Sequence, residues 1–244
     1  MSTVRVVDGI RPFGLWAVLV VGALHCAAVG AATSTPDVGM IIRLSGEVVF
    51  WSANTEGAPA KVETFMKVRE GDRFRLSQNA LVQVVYFSNG RKETWKGPVT
   101  FRTGSLEGQA EGNAGAKGKP RVVSLPNPVA RQVRRVAVLV DPSRLHRSGA
   151  SQVRAGVTER SRKPLEPLSL TPQEKKELEA ARETYESMLK QVDPDDITPE
   201  LYLFSVLADY DRFEDMRILT GRMREKQPDN AGIDRLEAWL KDHE

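Results

Sequence analysis

Few residues in this 244-residue chain could do covalent chemistry, and their placement argues against it. The single cysteine, Cys26, lies inside an apolar run near the start. Beyond that run there is no thiol, so no disulfide, thiolate nucleophile or Cys-based zinc site can be assembled. His25 shares the same run. His146 sits in the basic stretch Arg144-Leu145-His146-Arg147, and His243 stands beside the last residue. Both read as solvated surface histidines. No G-x-S-x-G elbow accompanies His146. No Walker loop, G-x-G-x-x-G or H-E-x-x-H is present. Asp193, Asp195 and Asp196 form an acidic cluster that could serve a carboxylate-based hydrolase or hold a cation. It sits at a proline-bounded turn between helices and lacks the spacing of a calcium loop, so it reads as a solvated turn. No catalytic residue, metal ligand or cofactor is assigned.

Residues suited to binding are easier to find. Trp51 and Trp95 have the amphipathic rings that stack on sugars or fill a half-wet interface; partial core burial is the plainer reading of both. Arg131, Arg134 and Arg135, with Arg144, Arg147 and Arg154, form a basic segment that suits an anionic surface. Charge is unevenly distributed. Residues 105–167 carry 12 Lys and Arg against 5 Asp and Glu, and residues 168–244 carry 11 against 19. A basic middle and an acidic end either attract each other within the molecule or face different partners.

The compartment follows from residues 1–32. Arg5 and Arg11 precede an apolar run from Phe13 to Ala32 that ends in small residues, Gly30, Ala31 and Ala32. This is the pattern of a secretory signal; an uncleaved signal anchor is the alternative, since about 20 apolar residues can span a bilayer. The expected location is the periplasm, or the membrane surface facing it. His25, directly before Cys26, is a poor fit to a lipoprotein signal. Nucleic acid is an unexpected partner in that compartment; peptidoglycan or an anionic membrane surface fits it better.

Three regions position these residues. Residues 38–104 read as β: short β-branched and aromatic runs between Gly and Asn turns. The runs are 38–44, 47–52, 62–68, 73–76, 81–87, 92–96 and 99–102. Asn89-Gly90 suits a type I′ hairpin, which needs positive φ at both residues. Such a series of strands predicts a small barrel or sandwich. Residues 105–167 form a basic, Gly- and Pro-containing linker and extension. Within it, 104–120 reads as a mobile loop, Arg121–Leu125 as one further strand, and 128–140 as helix or strand, because its valines suit both. Residues 168–244 read as an acidic helical region. Thr171-Pro172-Gln173-Glu174 is a capping box, and Thr198-Pro199 opens a second helix. A third runs from about Arg212 to Lys226, and Asp229 caps a fourth. The fold class is a small all-β domain followed by α-helices.

The β region resembles the FecR-type periplasmic domain over about residues 40–103. The resemblance rests on Gly46-Glu47-Val48-Val49-Phe50, on Val68-Arg69-Glu70-Gly71-Asp72-Arg73-Phe74-Arg75-Leu76, and on Leu81 to Gly90 with its terminal Phe87-Ser88-Asn89-Gly90. Gln83 departs from the usual apolar position. The resemblance implies an exported sensor or binding module. It does not imply the transmembrane anti-sigma regulator, because only about a dozen residues precede the apolar run, too few to fold. The helical end looks like a degenerate tetratricopeptide-type pair, through Leu203, Leu207, Phe213, Met216 and Pro228, with Asp211 where a turn glycine is usual. A plain helical bundle is the alternative.

The expectation is an exported, non-enzymatic FecR-domain protein that binds a ligand or an envelope protein. The alternative is a binder of envelope polymer, glycan or anionic lipid surface, using the basic segment.

Overall fold

The computed structural model describes residues 35–53, 57–112, 118–140 and 170–243. The expected signal at 1–32, and Arg144, His146, Arg147 and Arg154, lie outside the described residues. Strands are β1 (Asp37–Ser45), β2 (Val48–Trp51), β3 (Ala60–Lys61), β4 (Lys67–Arg69), β5 (Arg73–Leu76), β6 (Leu81–Tyr86), β7 (Arg91–Lys96), β8 (Val99–Thr103), β9 (Gly108–Ala110) and β10 (Arg121–Ser124). Helices are α1 (Asn127–Leu139), α2 (Pro172–Leu189), α3 (Thr198–Ala208), α4 (Phe213–Lys226) and α5 (Ala231–His243). The expected layout, β followed by α, is observed.

The strands form two antiparallel sheets. Sheet one runs β10-β7-β6-β1-β4, and sheet two runs β3-β2-β5-β8-β9. Side chains alternate across a strand, and both sheets use this period. Ile41, Val82, Val84, Tyr86 and Trp95 of sheet one meet Val48, Phe74, Leu76 and Phe101 of sheet two in a sandwich core. The opposite face of sheet one, through Met40, Ile42 and Val85, joins a second core with all five helices. The described residues are therefore layered sheet two, sheet one, helices, within one compact unit. This explains why Leu81–Phe87 is apolar on both faces: β6 is covered twice. Gln83, on its helix-facing side, is buried and gives its amide N–H to Thr94 Oγ1 at 3.2 Å.

Three sequence expectations about the strands and their turns change. Val62–Val68 is not one strand. The chain crosses there from sheet two (β3) to sheet one (β4), with Phe65 at φ 60°. Val62 enters the sandwich core and Phe65 the helix-side core, so the run's apolar residues serve two layers. Asn89-Gly90 is not a two-residue type I′ turn: of the two, only Gly90 has positive φ. Asn89 instead accepts the Arg91 N–H and donates to the Leu106 carbonyl, tying a four-residue loop to its neighbour. Within 104–120, Gly108–Ala110 pairs with β8, because Gly108 donates its N–H to the buried Glu93 carboxylate.

α1 resolves the ambiguity at 128–140 in favour of helix, burying Val129, Val133 and Val136. α3 is apolar on nearly every side and buried from Thr198 to Leu207, as expected of a helix enclosed by others. It packs against α1, α2 and α4. Thr171 and Glu174 form the expected capping box on α2. Asn230, rather than Asp229, caps α5: its Oδ1 accepts the Gly232 N–H at 2.9 Å, and Thr64 Oγ1 accepts it at 2.8 Å.

The helices are pinned to sheet one by the turn between α2 and α3. Asp193 pairs with Arg121 of β10 at 2.6 Å. Asp195 pairs with Arg43 of β1, and Asp196 with Lys92 of β7. Lys92 and Asp196 are both buried. Asp196 also accepts the N–H of Thr198, the first residue of α3, at 2.9 Å. The acidic cluster is thus a docking clasp and not a solvated turn, and the attraction between basic and acidic regions is internal.

Two stability predictions follow from this packing. Lys92→Met strands a buried carboxylate and costs about 3–5 kcal/mol in urea unfolding, whereas Lys92→Met with Asp196→Asn recovers part of that loss. Glycine replacements in two helices give opposite signs. Gly232→Ala places a methyl within 2.5 Å of the Phe65 ring and lowers the melting temperature. Gly221→Ala meets nothing within 4 Å and raises stability by about 0.5–1 kcal/mol.

Candidate functional site

The outer face of sheet two is the surface that neither core covers. Strict alternation in Arg73-Phe74-Arg75-Leu76 sends Phe74 and Leu76 inward and both arginines out. Register then builds two rows across the strands, since directly paired residues share a face. One row is Trp51, Arg73, Arg102 and Gln109. The other is Lys61, Val49, Arg75 and Thr100. Trp51 is half-buried beneath the arginines, with the Arg75 guanidinium 5.2 Å and the Arg73 guanidinium 5.7 Å from its ring centroid. Glu111 bridges Arg73 and Arg102 from the edge. Among the described residues Lys61 and Arg75 have no carboxylate partner. Four cations therefore face one carboxylate on a surface open to solvent.

The platform beneath is rigid. Phe50, Phe74, Phe101 and Trp95 stack in sequence, with centroids 5.8, 5.2 and 4.3 Å apart. Trp95 is 1% exposed, and its indole N–H donates to Glu93 at 3.0 Å. A ring sandwiched in this way is no sugar platform. Trp95 is removed from the binding candidates because the same alternation that exposes Arg73 and Arg75 turns Trp95 into the core.

The α1 arginines lie on the far side of sheet one from Trp51, so the sequence-derived candidates do not converge. Arg135 forks onto Asp209 of α3. Arg134 lies 5.8 Å over the Phe87 ring. Arg131 is exposed and has no ion-pair partner among the described residues. Beside Arg134 is a shallow pocket of about 270 Å³ lined by Asp37, Val38, Phe87, Ser88, Ser105 and Leu106. It is smaller than the usual ligand cavity, and Asp37 is already engaged by Lys67 and Arg69.

Sequence reasoning missed the basic rows and a buried polar cluster between helices. In the cluster, Glu200 accepts from Lys226 at 2.8 Å and lies 3.4 Å from the Tyr185 hydroxyl, which accepts from Arg222 at 3.0 Å. Burial pushes the Tyr185 phenol up. Lys226 also donates to the Asp196 carbonyl, so the cluster braces the clasp. The carboxylates with chemical potential are engaged: Asp193, Asp195 and Asp196 by sheet cations, Glu93 by Arg91, Trp95 and Gly108. His243 stacks on Trp239 at 4.1 Å. Among the described residues no group of three His, Cys, Asp or Glu side chains is arranged to hold a metal ion, and no helix is long and apolar enough to cross a membrane.

Comparison with family models, curated proteins and solved structures yields no match.

In the sandwich core the buried Tyr86 hydroxyl has no hydrogen-bond partner among the described residues. Burial first, and the nearby Glu93 charge second, push its pKa far above the usual value of 10.0. A raised folded-state pKa stabilises fully below the unfolded value, and that contribution is lost as pH climbs beyond it. Tyr86→Phe therefore leaves neutral-pH stability unchanged or raises it by up to about 1 kcal/mol. It also makes the alkaline fall in the urea midpoint above about pH 10 shallower.

Proposed function

We propose that this protein is an exported, non-enzymatic binding module of the cell envelope, FecR-type in its sandwich, and that it binds through the outer face of sheet two. The observation that carries the reading is the bare, basic, rigidly backed face described above, set opposite a helical layer that ion pairs clasp to sheet one. The FecR-type part is supported by the quoted residues. Gly46 and Gly71 take left-handed φ of 73° and 87° between strands. Asp72 accepts the Arg69 N–H at 2.8 Å and the Ala53 N–H at 3.0 Å, as a turn carboxylate should. Asp211, at φ 51°, supports a tetratricopeptide-like turn between α3 and α4. The periplasm and a cleaved signal at 1–32 belong to the same proposal, as does an envelope partner.

The second reading, polymer or anionic membrane binding through the basic segment, keeps Arg131 and Arg134 as exposed cations on α1 and loses Arg135 to Asp209.

Affinity capture of the tagged full-length protein from its own envelope separates the two. Arg75→Glu with Arg102→Glu is expected to abolish retention of the captured component, and Arg131→Glu with Arg134→Glu to preserve it. The reverse pattern selects the basic segment. A turnover activity lost on a single substitution overturns the non-enzymatic reading.

A further inference from the structure

We infer that the outer face of sheet two takes a linear anionic polysaccharide, its carboxylates seated along the rows that cross the strands. This rests on the proposal that this face is the binding surface, and it adds the chemical class of the occupant.

The row Trp51, Arg73, Arg102 and Gln109 crosses four strands. With neighbouring strands about 4.8 Å apart, it is a straight track of about 14 Å with a binding group at every step. The parallel row adds Lys61, Arg75 and Thr100. A repeating linear ligand matches such a track; a compact small molecule does not. The cations are prepared for carboxylate. Cation–π contact with Trp51 holds Arg75 and Arg73 in place and consumes no N–H donor. Arg75 has no carboxylate partner among the described residues, so its fork can donate to a ligand carboxylate bidentately, while Arg73 and Arg102 share Glu111 and keep their remaining donors. Trp51 is thereby a positioning residue, and a sugar ring need not lie on it.

Hydroxyl chemistry is present between the charges. Gln109 is exposed with no hydrogen-bond partner among the described residues, and Thr100 lies beside Arg75. These groups complement a hydroxyl-rich chain and have no use for a fatty surface. The exposed large apolar residues among those described, Leu106, Val122, Leu189 and Ile218, are all off these rows, and Val49 and Trp51 on them are half-buried beside the cations, so the face presents no apolar patch to a bilayer. Stacking of nucleobases needs an open aromatic face, and here the guanidinium groups lie over the ring. Asp193, Asp195, Asp196 and Asp209 are already paired within the molecule and are not available to a second copy.

The test is binding of the full-length protein to polygalacturonate, with dextran, polyglutamate and phosphatidylglycerol vesicles as comparison probes, at low and high salt. Salt-sensitive binding to polygalacturonate is expected, with none to dextran. Arg75→Glu with Arg102→Glu weakens it about tenfold or more, since two attractive charges become repulsive. Arg75→Gln with Arg102→Gln weakens it less, and Arg131→Glu leaves it unchanged. Gln109→Ala weakens polygalacturonate binding and leaves polyglutamate binding alone. Circular dichroism and melting temperature confirm that each variant folds, as exposed positions allow. Equal or tighter binding to polyglutamate or to vesicles, still lost in the arginine variants, overturns the polysaccharide and leaves the face standing. Absence of polygalacturonate binding, with capture of the envelope component still dependent on Arg75 and Arg102, does the same. Polygalacturonate binding indifferent to Arg75 and Arg102 overturns both the polysaccharide and the face.

Discussion

The ion pair between Lys92 and Asp196 constrains the whole assembly. Both side chains are buried between sheet one and the helices. Two charges removed from water are tolerated only when they meet in good geometry with further hydrogen bonds. Asp196 has those bonds, from the Thr198 N–H and hydroxyl. The pair therefore fixes where α3 begins. It also fixes the α2–α3 turn on β7, while Arg43 and Arg121 hold the same turn on strands to either side of it in the sheet. Gln227 and Lys226, at the end of α4, bond to the Asp195 and Asp196 carbonyls, so the far end of the bundle is referenced to the same point. One solvent-excluded charge pair thus sets the register of sheet against helices.

That constraint also decides which surfaces remain. Sheet one is covered on one side by sheet two and on the other by helices. Four carboxylates of the C-terminal region, Asp193, Asp195, Asp196 and Asp209, neutralise Arg121, Arg43, Lys92 and Arg135. The basic residues of β3, β5 and β8 receive only Glu111 in return. A chain whose total charge is nearly balanced consequently presents one strongly basic face. Net charge conceals this, because pairing in three dimensions and composition along the chain are different quantities.

The layout was legible where a local rule governs. Short β-branched and aromatic runs between turn residues located β1, β5, β6, β7 and β8, and the capping box at Thr171 and Glu174 located α2. The valine spacing at 129, 133 and 136 left helix and strand open, since only tertiary contact with Met40, Ile42 and Val85 decides it. The run 62–68 misled because its apolar residues enter two different cores, which no one-dimensional period expresses. Asn89 misled because its side chain, bonded to Leu106, replaced the backbone turn. The basic face was half legible. Arg73-Phe74-Arg75-Leu76 announces two arginines on one face. That Arg102, Lys61 and Trp51 join them depends on strand order, and β2-β5-β8 adjacency is a long-range fact. Trp95 was ambiguous for the same reason: its inward orientation follows from pairing with Val82.

The aromatic stack gives this face its physical character. Phe50, Phe74, Phe101 and Trp95 lie directly beneath the arginine rows and leave no space for them to sink. Gly108 permits the stack to close, since a side-chain carbon there would come within 2.8 Å of Trp95 and 2.9 Å of the Glu93 carboxylate. Glu93 in turn ties Arg91, Trp95 and β9 together, and the next residue, Lys92, enters the clasp on the other side of the sheet. A continuous packed path thus runs from the basic face to the helix-side ion pair. Cations held on such a support lose little further freedom when a ligand arrives, so a larger share of their attraction appears as affinity. That support distinguishes the proposed sheet face from Arg131 and Arg134, which project from a single helix.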